Sequence, residues 1–190
     1  MKIEVSEGEK KSDSQRRILL VPFFEQAPIK DIKVELGKAL EEVGFTGRSN
    51  DIRIVSLPNI KENFCAIGLG KREKYSIETY RRALSSALRE IERTGIQSVI
   101  ARLPGVDGSD LEAFETAYIA ETTLYKFSKY KSQNHDSPEI KEILISGKSD
   151  LNSALQRGQI LGKSTPGSLA ITDWIPVLSI SLKAEDNARL

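Results

Sequence analysis

Phe64-Cys65-Ala66-Ile67-Gly68-Leu69-Gly70-Lys71 is an apolar run that closes on two glycines and a lysine. Directly after it, Tyr80, Ala83, Leu84, Ala87, Leu88 and Ile91 recur at helical spacing. Arg81, Arg82, Ser85, Arg89 and Glu92 fall on the other side, so the segment is an amphipathic helix. Ser76 is placed to cap its start and Gly95 to stop its end. Strand, glycine turn, helix is the repeating unit of parallel-sheet α/β domains. It is also a place where such domains bind phosphate on free backbone amides.

The same alternation extends in both directions. Upstream, Lys2 to Val5 alternates as a half-exposed strand, and Ile18 to Phe24 reads as a buried strand ended near Pro22. Ile32, Leu36, Ala39, Leu40 and Val43 mark a helix stopped by Gly44, and Ile52 to Val55 alternates again. Downstream, Ser98 to Leu103 is a short strand cut by Pro104-Gly105. Ser109-Asp110-Leu111-Glu112 has the pattern of a capping box opening a largely buried helix to about Lys129. Ile140 to Ser146 is a strand, and Ser149 to Gly162 a last helix. The expected fold is α/β: a three-layer α/β/α sandwich on a mixed, mostly parallel sheet. Residues 1–163 form the domain. Residues 164–190 form a linker or docking tail, since Thr165-Pro166-Gly167 breaks the helix and the apolar run beyond it carries Trp174, the only tryptophan.

Composition narrows the function. The 28 Lys and Arg against 27 Asp and Glu leave a formal charge of +1, which gives no bulk attraction for nucleic acid or membranes. The polar stretch Glu7 to Arg17 reads as a solvated connector. No apolar run approaches the ~20 residues of a membrane span, and the N-terminus lacks the apolar core of a signal peptide. One cysteine, Cys65, excludes an internal disulfide, so a cytoplasmic location is expected. Cys65 itself reads as a small buried hydrophobe.

Motifs that could carry chemistry are few. Gly158 to Ser164, Gly-Gln-Ile-Leu-Gly-Lys-Ser, approaches a P-loop. Its spacing is one residue short, Arg157 stands where glycine is required, and it continues a helix rather than following a strand, so it reads as a frayed helix end. Gly68, Gly70 and Lys71 are the candidate ligand-binding residues, but Glu73 replaces the third glycine of a dinucleotide fingerprint. A tight turn with Lys71 in solvent is the competing reading. One histidine, His135, and one cysteine cannot build an N/S zinc site or a nucleophilic triad.

Five landmarks in order resemble the N-terminal domain of the leucyl aminopeptidase (cytosol aminopeptidase) family. They are Leu57-Pro58-Asn59-Ile60, Ala66-Ile67-Gly68-Leu69-Gly70-Lys71, Tyr80-Arg81-Arg82-Ala83, Leu124 to Ser132, and Thr165-Pro166-Gly167-Ser168-Leu169. The resemblance implies a macro-domain-like fold preceding a C-terminal metallopeptidase domain with two divalent ions, zinc, manganese or magnesium. It implies a cytosolic enzyme, typically hexameric, that removes N-terminal amino acids. The Asn-Thr-Asp-Ala-Glu-Gly-Arg-Leu motif of that catalytic domain is not in these residues, and Ala184 to Leu190 has its letters in the wrong order. No catalytic or metal-binding residue and no cofactor is therefore expected in this chain. The expected partners are its own catalytic domain and further copies of itself. The expected role is assembly or regulation. A macro-domain-like module for ADP-ribose or a related nucleotide at Gly68 to Lys71 is the alternative, and nucleic-acid binding a further one.

Overall fold

A computed structural model describes residues 1–6, 17–25, 34–57, 62–106, 108–125 and 139–165. Six strands build one sheet: β1 (Lys2–Ser6), β2 (Arg17–Phe23), β3 (Ile52–Leu57), β4 (Glu62–Gly68), β5 (Ser98–Arg102) and β6 (Glu142–Ser146), in the order β1-β6-β5-β2-β4-β3. All neighbours are parallel except β3 and β4. The helices are α1 (Val34–Glu42), α2 (Ile77–Arg93), α3 (Ser109–Thr123) and α4 over 152–165.

Strand alternation sorts side chains onto two faces. Ile18, Leu20, Cys65, Ile67, Val99, Ile143 and Ile145 face α2, α3 and α4. Tyr80, Ala83, Leu84, Ala87, Leu88 and Ile91 of α2 are all buried there, as their spacing requires. Val21, Phe23, Val55, Phe64 and Ala66 face the opposite side, where Leu36 and Leu40 of α1 cover them. This is the expected α/β/α sandwich on a mixed, mostly parallel sheet.

β2 ends near the proline as expected, one residue past Pro22, which pairs in register with Ile67. The last β5 pair is at Leu20, so Pro22 lies where β2 has only one ladder to serve. The capping box of α3 does not form. Gly108, with φ 96°, is the N-cap and makes no side-chain cap bond. Glu112 instead turns to the preceding loop and accepts the Gly105 and Val106 amides, each at 2.8 Å. That loop would otherwise bury unpaired donors.

α3 stops at Thr123, short of Lys129, after the β-branched pair Thr122-Thr123. Its buried face is Glu112, Ala113, Glu115, Thr116, Ala117 and Ala120, while Leu111 is 42% exposed. Small residues are required on that face because α2 and α4 press on it closely. Gly158 and Gly162 make the α4 contact. A Cβ at Gly158 would overlap the Phe114 carbonyl, and one at Gly162 would sit 2.7 Å from the Glu121 Cβ. The P-loop-like string is therefore the packed body of a helix, not its frayed end.

Candidate functional site

The glycine corner sits at the carboxyl end of β4, a place where open α/β sheets bind ligands. Its backbone donors are spent inside the domain. Gly68 N–H donates to Asp51 O at 2.8 Å, Leu69 N–H to Phe23 O at 2.8 Å, and Gly70 N–H to Gly47 O at 2.9 Å. The carbonyls are used too: Asn50 N–H reaches Gly68 O at 3.2 Å and Glu25 N–H reaches Gly70 O at 2.8 Å.

The reason for the two glycines follows from this packing. A Cβ on Gly68 would overlap the Arg48 carbonyl oxygen and lie 2.8 Å from the Gly47 carbonyl carbon. Gly70 has φ 75°, a left-handed conformation that glycine adopts without strain. Its partner is the loop after α1, whose shape depends on Asp51. That carboxylate accepts the Thr46 amide at 2.9 Å and the Thr46 hydroxyl at 3.1 Å. Gly47 and Asn50 are left-handed in the same loop. Sequence periodicity gave no sign of this partner. The positive-φ residues Gly47 and Asn50 were the available clue.

Lys71 is exposed beside the corner. Ser76 caps α2 as expected, accepting the Thr79 amide at 3.3 Å. An open cleft of about 340 Å³ lies at this helix end, lined by Ser49, Asn50, Ser76, Glu78, Thr79 and Arg82. Its one cation is already paired: Arg82 Nε is 2.9 Å from Glu78 Oε1. The other glycine-rich corner, at α3, carries Asp110 and Glu112 in the first turn of the helix. These carboxylates already use the positive end of the helix dipole, which disfavours an incoming anion.

Titratable groups elsewhere serve packing. Burial pushes the Cys65 thiol up to about 12, with a smaller push from Glu90. Such a thiol holds its proton and is a poor nucleophile or metal ligand. Tyr80 is wholly buried, which raises its phenol, and its hydroxyl lies 2.8 Å from Thr116 Oγ1. Beside it, Arg81 forks onto Glu115, with Nε–Oε2 at 2.7 Å and Nη2–Oε1 at 2.5 Å. Glu115 is 2% exposed. Thr123 donates to Ser85 Oγ at 3.0 Å, a further hydrogen bond joining α2 to α3.

Among the described residues no three His, Cys, Asp or Glu side chains stand close enough to hold a metal ion. The donor set among the described residues does not fit the two-metal centre that the family resemblance associates with its catalytic domain. No described helix is long and apolar enough to cross a membrane. His135, Trp174 and nearly all of the tail lie outside the described residues.

Residues 5–134 match the cytosol aminopeptidase family, N-terminal domain. A probable cytosol aminopeptidase of Aquifex aeolicus (strain VF5) is 32% identical over 131 residues, which is 66% of this chain and 25% of that protein. The chain thus spans about a quarter of that relative's length. Among solved structures, the bottromycin maturation enzyme BotP matches with a TM-score of 0.63 at 17% identity, over 80% of this chain and 31% of that one. A mutant of tomato leucine aminopeptidase matches with a TM-score of 0.61 at 15% identity, over 84% and 35%. At these identities the two structures speak to the fold alone.

Proposed function

Because the chain belongs to the cytosol aminopeptidase family, as its N-terminal domain, we propose that it is a non-catalytic assembly or regulatory domain for a leucyl aminopeptidase-type exopeptidase. Its partners are a metal-dependent catalytic domain and other copies of itself, in the cytoplasm. Residues 1–163 are the folded unit and residues 164–190 a docking tail. The observation that carries this reading is the glycine corner, whose three successive amides are bonded to carbonyls of the domain. A phosphate cradle needs those donors free.

The reading has a direct assay. The 190-residue chain is expected to leave leucine amides intact in the presence of zinc, manganese, magnesium or cobalt. Turnover that stays with the chain through purification, and is missing from a mock preparation, overturns it.

The nucleotide-module alternative is tested at Lys71. Lys71→Ala is expected to change stability by no more than about 0.5 kcal/mol, as for other exposed positions. Calorimetric titration of the unmodified chain with ADP-ribose is expected to show no heat of binding. Micromolar binding that disappears in Lys71→Ala would install a macro-domain-like ligand module in place of the scaffold.

A further inference from the structure

β3 ends the strand order on one side, so among the described residues no strand lies beyond it. The ladder to β4 says which groups its free edge carries. Ile52 stands opposite Ile67, and the Gly68 amide bonds to Asp51 O at 2.8 Å. That marks Ile52–Ile67 as a pair that exchanges no bonds of its own. The pattern alternates along an antiparallel ladder, so Arg53, Val55 and Leu57 bond to β4. Ile52, Ile54 and Ser56 turn their amides and carbonyls outward. Among the described residues none bonds to the outward main-chain groups of Ile54 or Ser56. Ser56 is exposed, and Ile52 and Ile54 are half-buried.

An open edge is a template for another strand. This edge is complementary to itself. When β3 is laid antiparallel on a second copy about a two-fold axis at Ile54, Ile54 meets its own counterpart and Ile52 meets the counterpart of Ser56. Every outward amide then finds an outward carbonyl, and the two Ile54 side chains form an apolar cross-strand pair.

One group stands in the way. Arg53 Nη1 donates to Ile52 O at 2.9 Å, and that carbonyl is the acceptor the Ser56 amide of a second copy needs. The guanidinium is fixed there from two sides. Nη1 pairs with Asp51 Oδ1 at 3.1 Å, and Nε reaches Val43 O, at the end of α1, at 3.4 Å. Asp51 is held in turn by the Thr46 amide and hydroxyl. The arginine side chain stays 44% exposed, so an incoming strand would have to strip water from a charge.

We propose that Arg53 guards the free edge of β3 against strand pairing with a second copy of this chain. Such a guard lies beyond the assembly reading, which names no strand contact, and stands or falls without it.

In the unmodified chain the amides of Ile54 and Ser56 are expected to exchange hydrogen faster than those of Arg53 and Val55. In sedimentation velocity, Arg53→Ala is expected to form a larger species at a concentration at least about tenfold lower than the unmodified chain does, because each copy regains an edge hydrogen bond. The Ile54 and Ser56 amides should then become protected. Ser56→Pro removes an outward donor and leaves the β4 ladder its bonds. Arg53→Ala combined with Ser56→Pro is therefore expected to sediment as the unmodified chain does. Arg53→Thr, β-branched and suited to a strand, replaces Arg53→Ala if the far-ultraviolet ellipticity is lost. Slow exchange at Ile54 and Ser56 in the unmodified chain overturns the proposal, because the edge is then already covered. Unchanged association in the arginine variant overturns it too and leaves Arg53 a cap for α1. Association that the proline does not reverse overturns the assigned edge.

Discussion

Gly68→Ala is expected to destabilise the domain by about 3 kcal/mol or more, the upper range for forcing atoms into a packed site. For a chain of this size that lowers the midpoint of thermal unfolding by roughly 6–12 °C. The added methyl has nowhere to go, because the obstructing atoms are backbone, the Arg48 carbonyl and Gly47. Moving them breaks the bonds that join the corner to the loop after α1. Gly44→Ala is the control. Gly44 also has a left-handed φ, 69°, but a Cβ there meets nothing within 4 Å. It should cost only the conformational penalty of about 1–2 kcal/mol. Equal losses in the two variants, measured by denaturant titration, would mean that the corner is not held by close backbone contact.

Arg81→Ala is expected to cost about 3 kcal/mol at neutral pH. The effect comes from the partner left behind, since Glu115 is 2% exposed and would keep a buried charge without its guanidinium. The Arg81 side chain is 37% exposed, so the estimate sits at the lower end for a broken buried pair. Arg81→Lys should recover only part of the loss, because an ammonium cannot reproduce the two-pronged contact. Full recovery in Arg81→Lys, measured by denaturant titration, would assign the loss to the charge and stem of the arginine rather than to its fork.

The layered fold was legible because apolar spacing is a local property. The α2 stripe from Tyr80 to Ile91 is buried residue for residue, and Ser76 caps it. The resemblance to the aminopeptidase family rested on short motifs in order, and the match over residues 5–134 agrees with it. What escaped the sequence depends on close approach between distant segments. Gly68 reads as a turn residue until Arg48 and Gly47 are seen against it. Glu112 has the spacing of a capping box, yet the buried amides of Gly105 and Val106 compete for its carboxylate and win. Gly158 and Gly162 mimic a phosphate-binding string because nucleotide loops and tightly packed helices both need glycine, for different neighbours. On α3 the apolar spacing places Ala113, Ala117 and Ala120 in the interior, and they are buried, but the close approach of α2 and α4 buries Glu112, Glu115 and Thr116 beside them and leaves Leu111 42% exposed.

The single antiparallel neighbour in the sheet sets an order of events. β3 and β4 pair across a short connection, from Leu57 opposite Glu62 to Ile52 opposite Ile67, so little chain entropy is spent in bringing them together. The first strand has the opposite situation: Lys2 pairs with Glu142 and Ser6 with Ser146. As the chain leaves the ribosome, β1 emerges before the other five described strands and pairs with β6, the last of them. The β3–β4 hairpin can form within the first half of synthesis, whereas β1 must wait until nearly the whole domain has been made. Contacts of such long sequence separation slow folding and prolong exposure of an unpaired strand. The alternating Lys2 and Glu4, half charged and ion-paired at 2.9 Å, give that waiting strand solubility in the interval.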